Sequence, residues 1–209
     1  RTIYDNILKF SFFLLRCNFD ELLVIGSFAI LGLELPLTAG MILWINLVTD
    51  GGPAVALSMD PPAEDVMERP PRDPKQGILH GRLASILATL VTQFFGTAVL
   101  FYVAYYVLGE PLEEARAMAF VQATLQELVI VWNCRSEKHN AFKVGFTNNK
   151  FLLVAEIVSV ASTLLIPYLG LFGTAPLTLL DYAMVAPISL VGFLILPEVF
   201  YGRKIWRWT

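Results

Sequence analysis

Apolar runs of about 20 residues constrain this chain more than any other feature. At about 1.5 Å of rise per residue, a helix of that length crosses the roughly 30 Å hydrocarbon core of a bilayer. Six such runs can be traced, over about residues 4–33, 37–59, 82–108, 114–134, 149–168 and 180–201. In hydrocarbon every backbone N–H and C=O must be satisfied within the segment, so such runs fold as helices. The expected fold class is all-α: one polytopic membrane helix bundle of six transmembrane helices, filling residues 1–209 without a second domain. Composition agrees, since 56% of the 209 residues are hydrophobic and only 16% charged, unlike a typical soluble domain. The first run, about 30 residues long, exceeds what a bilayer needs, so its N-terminal third is expected to project into water as a stalk.

Lys and Arg collect on the cytoplasmic side of membrane proteins, and their placement orients the chain. Arg1 and Lys9 precede the first run; Arg69, Arg72, Lys75 and Arg82 follow the second; Arg135, Lys138, Lys143 and Lys150 follow the fourth; Arg203, Lys204 and Arg207 close the sequence. Thirteen of the 15 basic residues, all but Arg16 and Arg116, thus mark one face, which puts both termini in the cytoplasm. Tyr102, Tyr105, Tyr106, Tyr168, Trp206 and Trp208 fall near run ends, as an interfacial belt does. The net charge of −3 forms no basic stripe, so the expected partner is the lipid bilayer and not nucleic acid. Cys17 and Cys134 lie in or beside apolar stretches and form neither a disulfide framework nor a metal pattern. The chain opens on Arg1 without a signal-peptide pattern, which reads as an internal or C-terminal fragment of a multi-pass integral membrane protein.

The second run contains Trp44-Ile-Asn-Leu-Val-Thr-Asp-Gly-Gly-Pro53, which sets an amide, a hydroxyl and a carboxylate in an apolar helix and then follows them with helix breakers. Asn46, Thr49 and Asp50 are three and four residues apart and share a helix face. Pro53 lacks an N–H and clashes with the carbonyl of Thr49, which frees that oxygen as a further ligand. The second helix is therefore expected to be unwound near its middle. Burying a carboxylate in hydrocarbon costs several kcal/mol, so an intramembrane carboxylate points to function. Asn18 and Glu21 on the first run are also i and i+3. On the fourth, Gln122, Gln126 and Glu127 interrupt an apolar stretch.

Asn18, Glu21, Asn46, Thr49, Asp50 and Glu127 together form a candidate metal site of oxygen donors, and no catalytic residue is expected in the chain. Six to eight oxygen ligands describe a hard cation such as calcium, and the lack of a Cys or His cluster argues against zinc or copper. Sodium, potassium and protons use the same donor types and stay open. Asp20 is either a second carboxylate of an ion pathway or a partner for Arg16, and Arg16 has to face away or pair with Asp20 or Glu127. Glu156 reads as reaching water from the cytoplasmic end, while His80 and His139 read as surface residues. The loop Asp60–Lys75 carries five prolines, which suits a stiff contact surface or a solvated linker.

Arg1-Thr-Ile-Tyr-Asp-Asn6, Asn18-Phe-Asp-Glu21, Leu43-Trp-Ile-Asn-Leu-Val-Thr-Asp-Gly51 and Met67-Glu-Arg-Pro-Pro-Arg-Asp-Pro-Lys75 give the chain a family likeness. It resembles the C-terminal membrane half of P-type cation-transporting ATPases, and within them the calcium pumps of the sarco/endoplasmic reticulum type. The resemblance implies that the six runs are helices five to ten of a ten-helix pump. It implies that Asn18, Glu21, Asn46, Thr49 and Asp50 are calcium ligands, with Asp50 shared between two sites and Glu127 supplied by the eighth helix. It also implies that the Pro-Pro-Arg loop touches a phosphorylation domain. The partners implied are the N-terminal membrane helices and the phosphorylation, nucleotide and actuator domains of the same polypeptide, which bring ATP and magnesium. Asp20 and Arg16 depart from the usual small or neutral residues. The short connection at Gly109–Glu113 looks prokaryotic, implying a prokaryotic plasma membrane. The expected function is the transport domain of an ATP-driven calcium exporter. The alternatives are a sodium, potassium or proton pump of the same type or, in a different class, an ion channel or secondary transporter.

Overall fold

The computed structural model describes residues 1–63, 66–68, 83–136, 139 and 141–191, and its regular elements among these are all helical. The Pro70-Pro71-Arg72 motif, His80, several of the orienting basic residues (Arg69, Lys75, Arg82, Lys138, Arg203, Lys204, Arg207), Trp206, Trp208 and the end of the last apolar run lie outside the described residues. Six main helices follow in order: α1 (Thr2–Ile30), α2 (Ala39–Ser58), α3 (Leu83–Val107), α4 (Leu112–Cys134), α5 (Lys150–Leu169) and α6 (Leu179–Leu190). α2, α3, α4 and α5 are long and apolar enough to cross a membrane. α1 is longer still, but Arg16, Asp20 and Glu21 interrupt its apolar stretch. α6 is described for 12 residues only.

Local chemistry sets the ends. α1 stops where Gly32 takes a left-handed φ of 67°, and Leu33 N–H returns to Phe28 C=O at 2.9 Å. A side chain there would be strained, so glycine closes the helix and turns the chain toward α2. Asn149 caps α5 by accepting from Leu152 N–H at 3.0 Å, and Thr178 with Asp181 forms a capping box at α6. The stalk expected at the start of α1 is held against the chain. Asn6 donates to the carbonyls of Ser58 at 3.1 Å and Asp60 at 2.7 Å, and Arg1 donates to those of Val66 and Met67.

α4 is the axis of the bundle. It packs against α3, α5, α6 and α1, and most of its length is enclosed, whereas α3 and α5 each turn a broad face outward. On α3 that face is a stripe, Leu83, Leu87, Val91, Phe95 and Val99, repeating every fourth residue, which is the form of a lipid-facing surface. Two apolar cores stack along the axis. One gathers Phe28, Met41, Ile45, Phe101 and Phe120; the other gathers Phe13, Ala54, Leu57, Val131 and Leu152. Between them in chain position, on five helices, lies a buried polar layer. α1 contributes Asp20 and Glu21, α2 Thr49 and Asp50, α3 Gln93 and Thr97, α4 Gln122, Gln126 and Glu127, and α5 Glu156 and Ser159.

Candidate cation site

The polar layer centres on the turn that the sequence marks as a break. Helical geometry runs through it: Ile45–Thr49 is a π-helical turn, and Asp50 keeps right-handed angles of φ −95° and ψ −43°. The helix is widened by one residue where an unwound segment was expected. Pro53 has no N–H for the Thr49 carbonyl, so one regular hydrogen bond is missing. Asp50 N–H instead reaches back five residues to Ile45 C=O at 2.8 Å, and Thr49 Oγ1 donates to the same carbonyl at 2.9 Å. Ala54 N–H then resumes the α pattern to Asp50 C=O at 2.9 Å. Rare π turns of this kind concentrate at functional sites.

Around that turn the structure gathers three of the expected carboxylates. Asp50 and Glu127 are fully enclosed and Glu21 is nearly so, at 0%, 0% and 6% exposure. Asn46 donates its amide N–H to Glu21 Oε2 at 2.7 Å and to Ile42 C=O at 3.0 Å, tying α2 to α1. Gln93 donates to Glu127 Oε1 at 3.0 Å. The remaining oxygens, Glu21 Oε1, both of Asp50 and Glu127 Oε2, meet no nitrogen or oxygen donor among the described residues. Unsatisfied buried carboxylate oxygens are costly, and here an Asp50 oxygen and a Glu127 oxygen lie within 4.8 Å of each other with no paired Lys or Arg among the described residues. Such a layer demands a counter-charge, supplied by a bound cation or by protons.

Asn18 stands apart. Its side chain is exposed and donates to Leu14 C=O of its own helix at 2.8 Å. The buried stripe of α1 is Phe13, Cys17, Val24 and Phe28, and one residue past Cys17 is about 100° away around the helix. The i, i+3 spacing to Glu21 holds, yet Glu21 lies at the edge of the stripe and Asn18 beyond it. Cys17 takes the inward place: its Sγ, an Asp50 oxygen and a Glu127 oxygen all lie within 4.8 Å of one another. The sequence pattern assigned Cys17 no part in a metal site, whereas the fold sets its sulfur beside two of the candidate carboxylates; the i, i+4 relation of Cys17 to Glu21 was the signal for that placement.

The other intramembrane charges are settled by their neighbours. Arg16 faces away from the carboxylates, donating to Ser85 Oγ on α3 and to Cys134 Sγ at 3.4 Å on α4, so it pairs with neither Asp20 nor Glu127. Asp20 is buried with Oδ1 unsatisfied. Glu156 is enclosed beside a cavity of about 220 Å³ between α4, α5 and α6, walled by Leu125, Leu128, Trp132 and Leu190. Glu156 itself lines that pocket together with Ser189, among otherwise apolar walls. Thr97, Gln122 and Gln126 form a relay, with hydrogen bonds of 2.8 Å and 2.6 Å. Gly96 makes room for it, since a Cβ there would come within 3.0 Å of Gln122 Nε2 and of Ile188.

A second polar cluster closes the end of the bundle where α2 finishes. Asp60 is buried and accepts from Lys9 at 2.8 Å, Arg135 Nε at 2.9 Å and Asn149 at 3.0 Å. It binds α1, α2, α4 and α5 together at the entry to the proline-rich loop. His139 is exposed, as expected.

Residues 34–200 match the family model described as "Cation transporting ATPase, C-terminus". Over 98% of its length the chain is 36% identical to the calcium-transporting ATPase of Bacillus subtilis, of which it covers 23%. It is 32% identical to calcium-transporting ATPase 1 of Bacillus cereus, with 98% of this chain and 25% of that protein aligned. It is 29% identical to the mouse calcium-transporting ATPase type 2C member 2, with 98% and 22% aligned. The chain spans about a quarter of the length of these relatives. With helices built to cross a bilayer, a buried carboxylate layer between them and a family match over most of its residues, the chain belongs to the P-type cation-transporting ATPases, as part of their C-terminal membrane region.

Proposed function

We propose that this chain supplies about half of the transport domain of an ATP-driven pump that exports calcium from the cytoplasm. One observation carries the reading: Glu21, Asp50 and Glu127 keep unsatisfied oxygens in one buried polar layer between two apolar cores, with oxygens of Asp50 and Glu127 within 4.8 Å of each other. Asn18, Glu21, Asn46, Thr49, Asp50 and Glu127 are the proposed calcium ligands, all oxygen donors and enough for a hard cation. The freed Thr49 carbonyl adds a seventh oxygen. The relatives' names add weight, since each of the three compared is called a calcium-transporting ATPase. We read the six apolar runs as six spans, both termini as cytoplasmic and the membrane as a prokaryotic plasma membrane.

In this reading ATP and magnesium act in phosphorylation, nucleotide and actuator domains of the intact polypeptide, and an aspartyl phosphate formed there drives α1 as a lever. Asn18 faces outward on α1, so turning or tilting α1 brings it toward Asp50 or withdraws Glu21. Each ligand oxygen gained or lost changes affinity for the ion, which is how one site becomes tight on one side and weak on the other. When calcium leaves, protons take its place on the carboxylates. The test is calcium-dependent phosphoenzyme formation by the intact protein. Asp50→Asn is expected to abolish it, and full calcium activation in that variant would refute the assignment. Phosphorylation triggered by sodium or potassium and not by calcium would leave the pump and change its cargo.

A further inference from the structure

The ligand set above is all oxygen, yet a sulfur stands among its atoms. Cys17 Sγ, an Asp50 oxygen and a Glu127 oxygen lie within 4.8 Å of one another, on three helices, and all three residues are wholly enclosed. Two ligands on one zinc-sized ion sit roughly 3–4 Å apart, because each bond is about 2.0–2.3 Å. The three atoms therefore need to close by only about 1 Å to share an ion. Both Asp50 oxygens and Glu127 Oε2 lack a nitrogen or oxygen donor among the described residues, and the one group turned toward Asp50 as a donor is the Cys17 thiol itself. Packing alone does not account for Cys17. Its neighbours Phe13, Ala54 and Val131 fill one side, while the sulfur faces two carboxylates.

We propose that Cys17 is a ligand and specificity residue of this site, and that its sulfur lets the site take a thiophilic divalent cation such as cadmium or zinc. Sulfur ligands select soft ions, whereas oxygen ligands alone favour calcium and magnesium. On binding, the S–H bond breaks, a metal–sulfur bond forms and the proton leaves to water, while Asp50 and Glu127 neutralise the ion's charge. The inference deepens the reading of this layer as the transport site by widening the class of ion it accepts.

Cadmium chloride is the probe, titrated into the intact protein in detergent while the thiolate-to-cadmium ultraviolet absorption band is followed. The band is expected in the parent and in Cys134→Ser. Cys17→Ser and Cys17→Ala are expected to lose the band, and their half-saturating cadmium concentration, read by isothermal titration calorimetry, is expected to rise at least about tenfold, the low end of what loss of a metal-supporting group does. In Cys17→Ser the ratio of cadmium to calcium affinity falls, because a hydroxyl oxygen replaces the soft donor. An unchanged cadmium titration in both Cys17 variants overturns the proposal, as does the absence of the band in the parent. The band reads a metal–sulfur bond and not transport. If calcium fails to trigger phosphorylation while cadmium still needs Cys17, the calcium assignment falls and the thiophilic site stands. If calcium triggers it and cadmium ignores Cys17, only the thiophilic site falls.

Discussion

Replacing Asp60 with alanine tests the clamp at the end of the bundle. The carboxylate is 3% exposed and Arg135 1%, while Lys9 keeps 14% of its side chain in contact with solvent. Among the described residues, removing Asp60 leaves Arg135 buried with the Gly145 carbonyl and the face of Trp132 as its side-chain partners. Breaking a buried pair by deleting one partner costs about 3–5 kcal/mol, chiefly because the other charge is stranded. Lys9→Met removes a partner that can reach water, so it costs about 1 kcal/mol or less. The order is therefore Asp60→Ala well above Lys9→Met. Adding Arg135→Met to Asp60→Ala should recover part of the loss by removing the stranded cation. The assay is reversible denaturation of the intact protein in mixed micelles, followed by tryptophan emission. A loss below about 1 kcal/mol for Asp60→Ala, or equal losses for Asp60→Ala and Lys9→Met, would refute the argument that burial of the pair sets its worth.

Gln93→Leu removes the one donor to Glu127 Oε1 among the described residues and should weaken calcium activation of the phosphoenzyme by about 10-fold or more, the usual effect of losing a group that orients a ligand. Gly96→Ala drives a methyl group against Gln122 and Ile188, and overpacking of this kind costs about 1–3 kcal/mol, read as a lower denaturation midpoint. Asn18→Ala should change stability by less than about 0.5 kcal/mol, since its side chain is exposed, while calcium affinity drops if α1 turns it inward. Calcium titration of the phosphoenzyme in Asn18→Ala separates a ligand from a bystander.

The helices were legible because membrane spans obey a strong rule of length and polarity. The starts and stops of α2, α4 and α5 fall within two residues of those expected. The carboxylates were legible for the same reason, as Glu21, Asp50 and Glu127 are conspicuous where charge is costly. Gln93 and Thr97 were not, because neutral polar side chains barely disturb an apolar run. The outward place of Asn18 and the inward place of Cys17 were not legible, because spacing says which residues share a face but not which face turns inward. That choice is made by Phe13, Val24 and Phe28, whose burial rotates α1 as a whole. The Asp60 clamp joins positions 9, 60, 135 and 149, and no local pattern couples residues so far apart.

The enclosure of α4 has a consequence for how the bundle is ordered. Among the four helices able to cross a membrane, the least apolar one, α4, is the most enclosed, and the two most apolar, α3 and α5, are the least enclosed. A protein in water grades the other way, with its oiliest segments at the centre. Here the surrounding medium is oil, and greasiness marks the rim while polarity marks the hub. The molecule is inside-out: substitutions that make α4 greasier erode the centre that holds the sheath together, and the same changes on the outer flank of α3 go unnoticed.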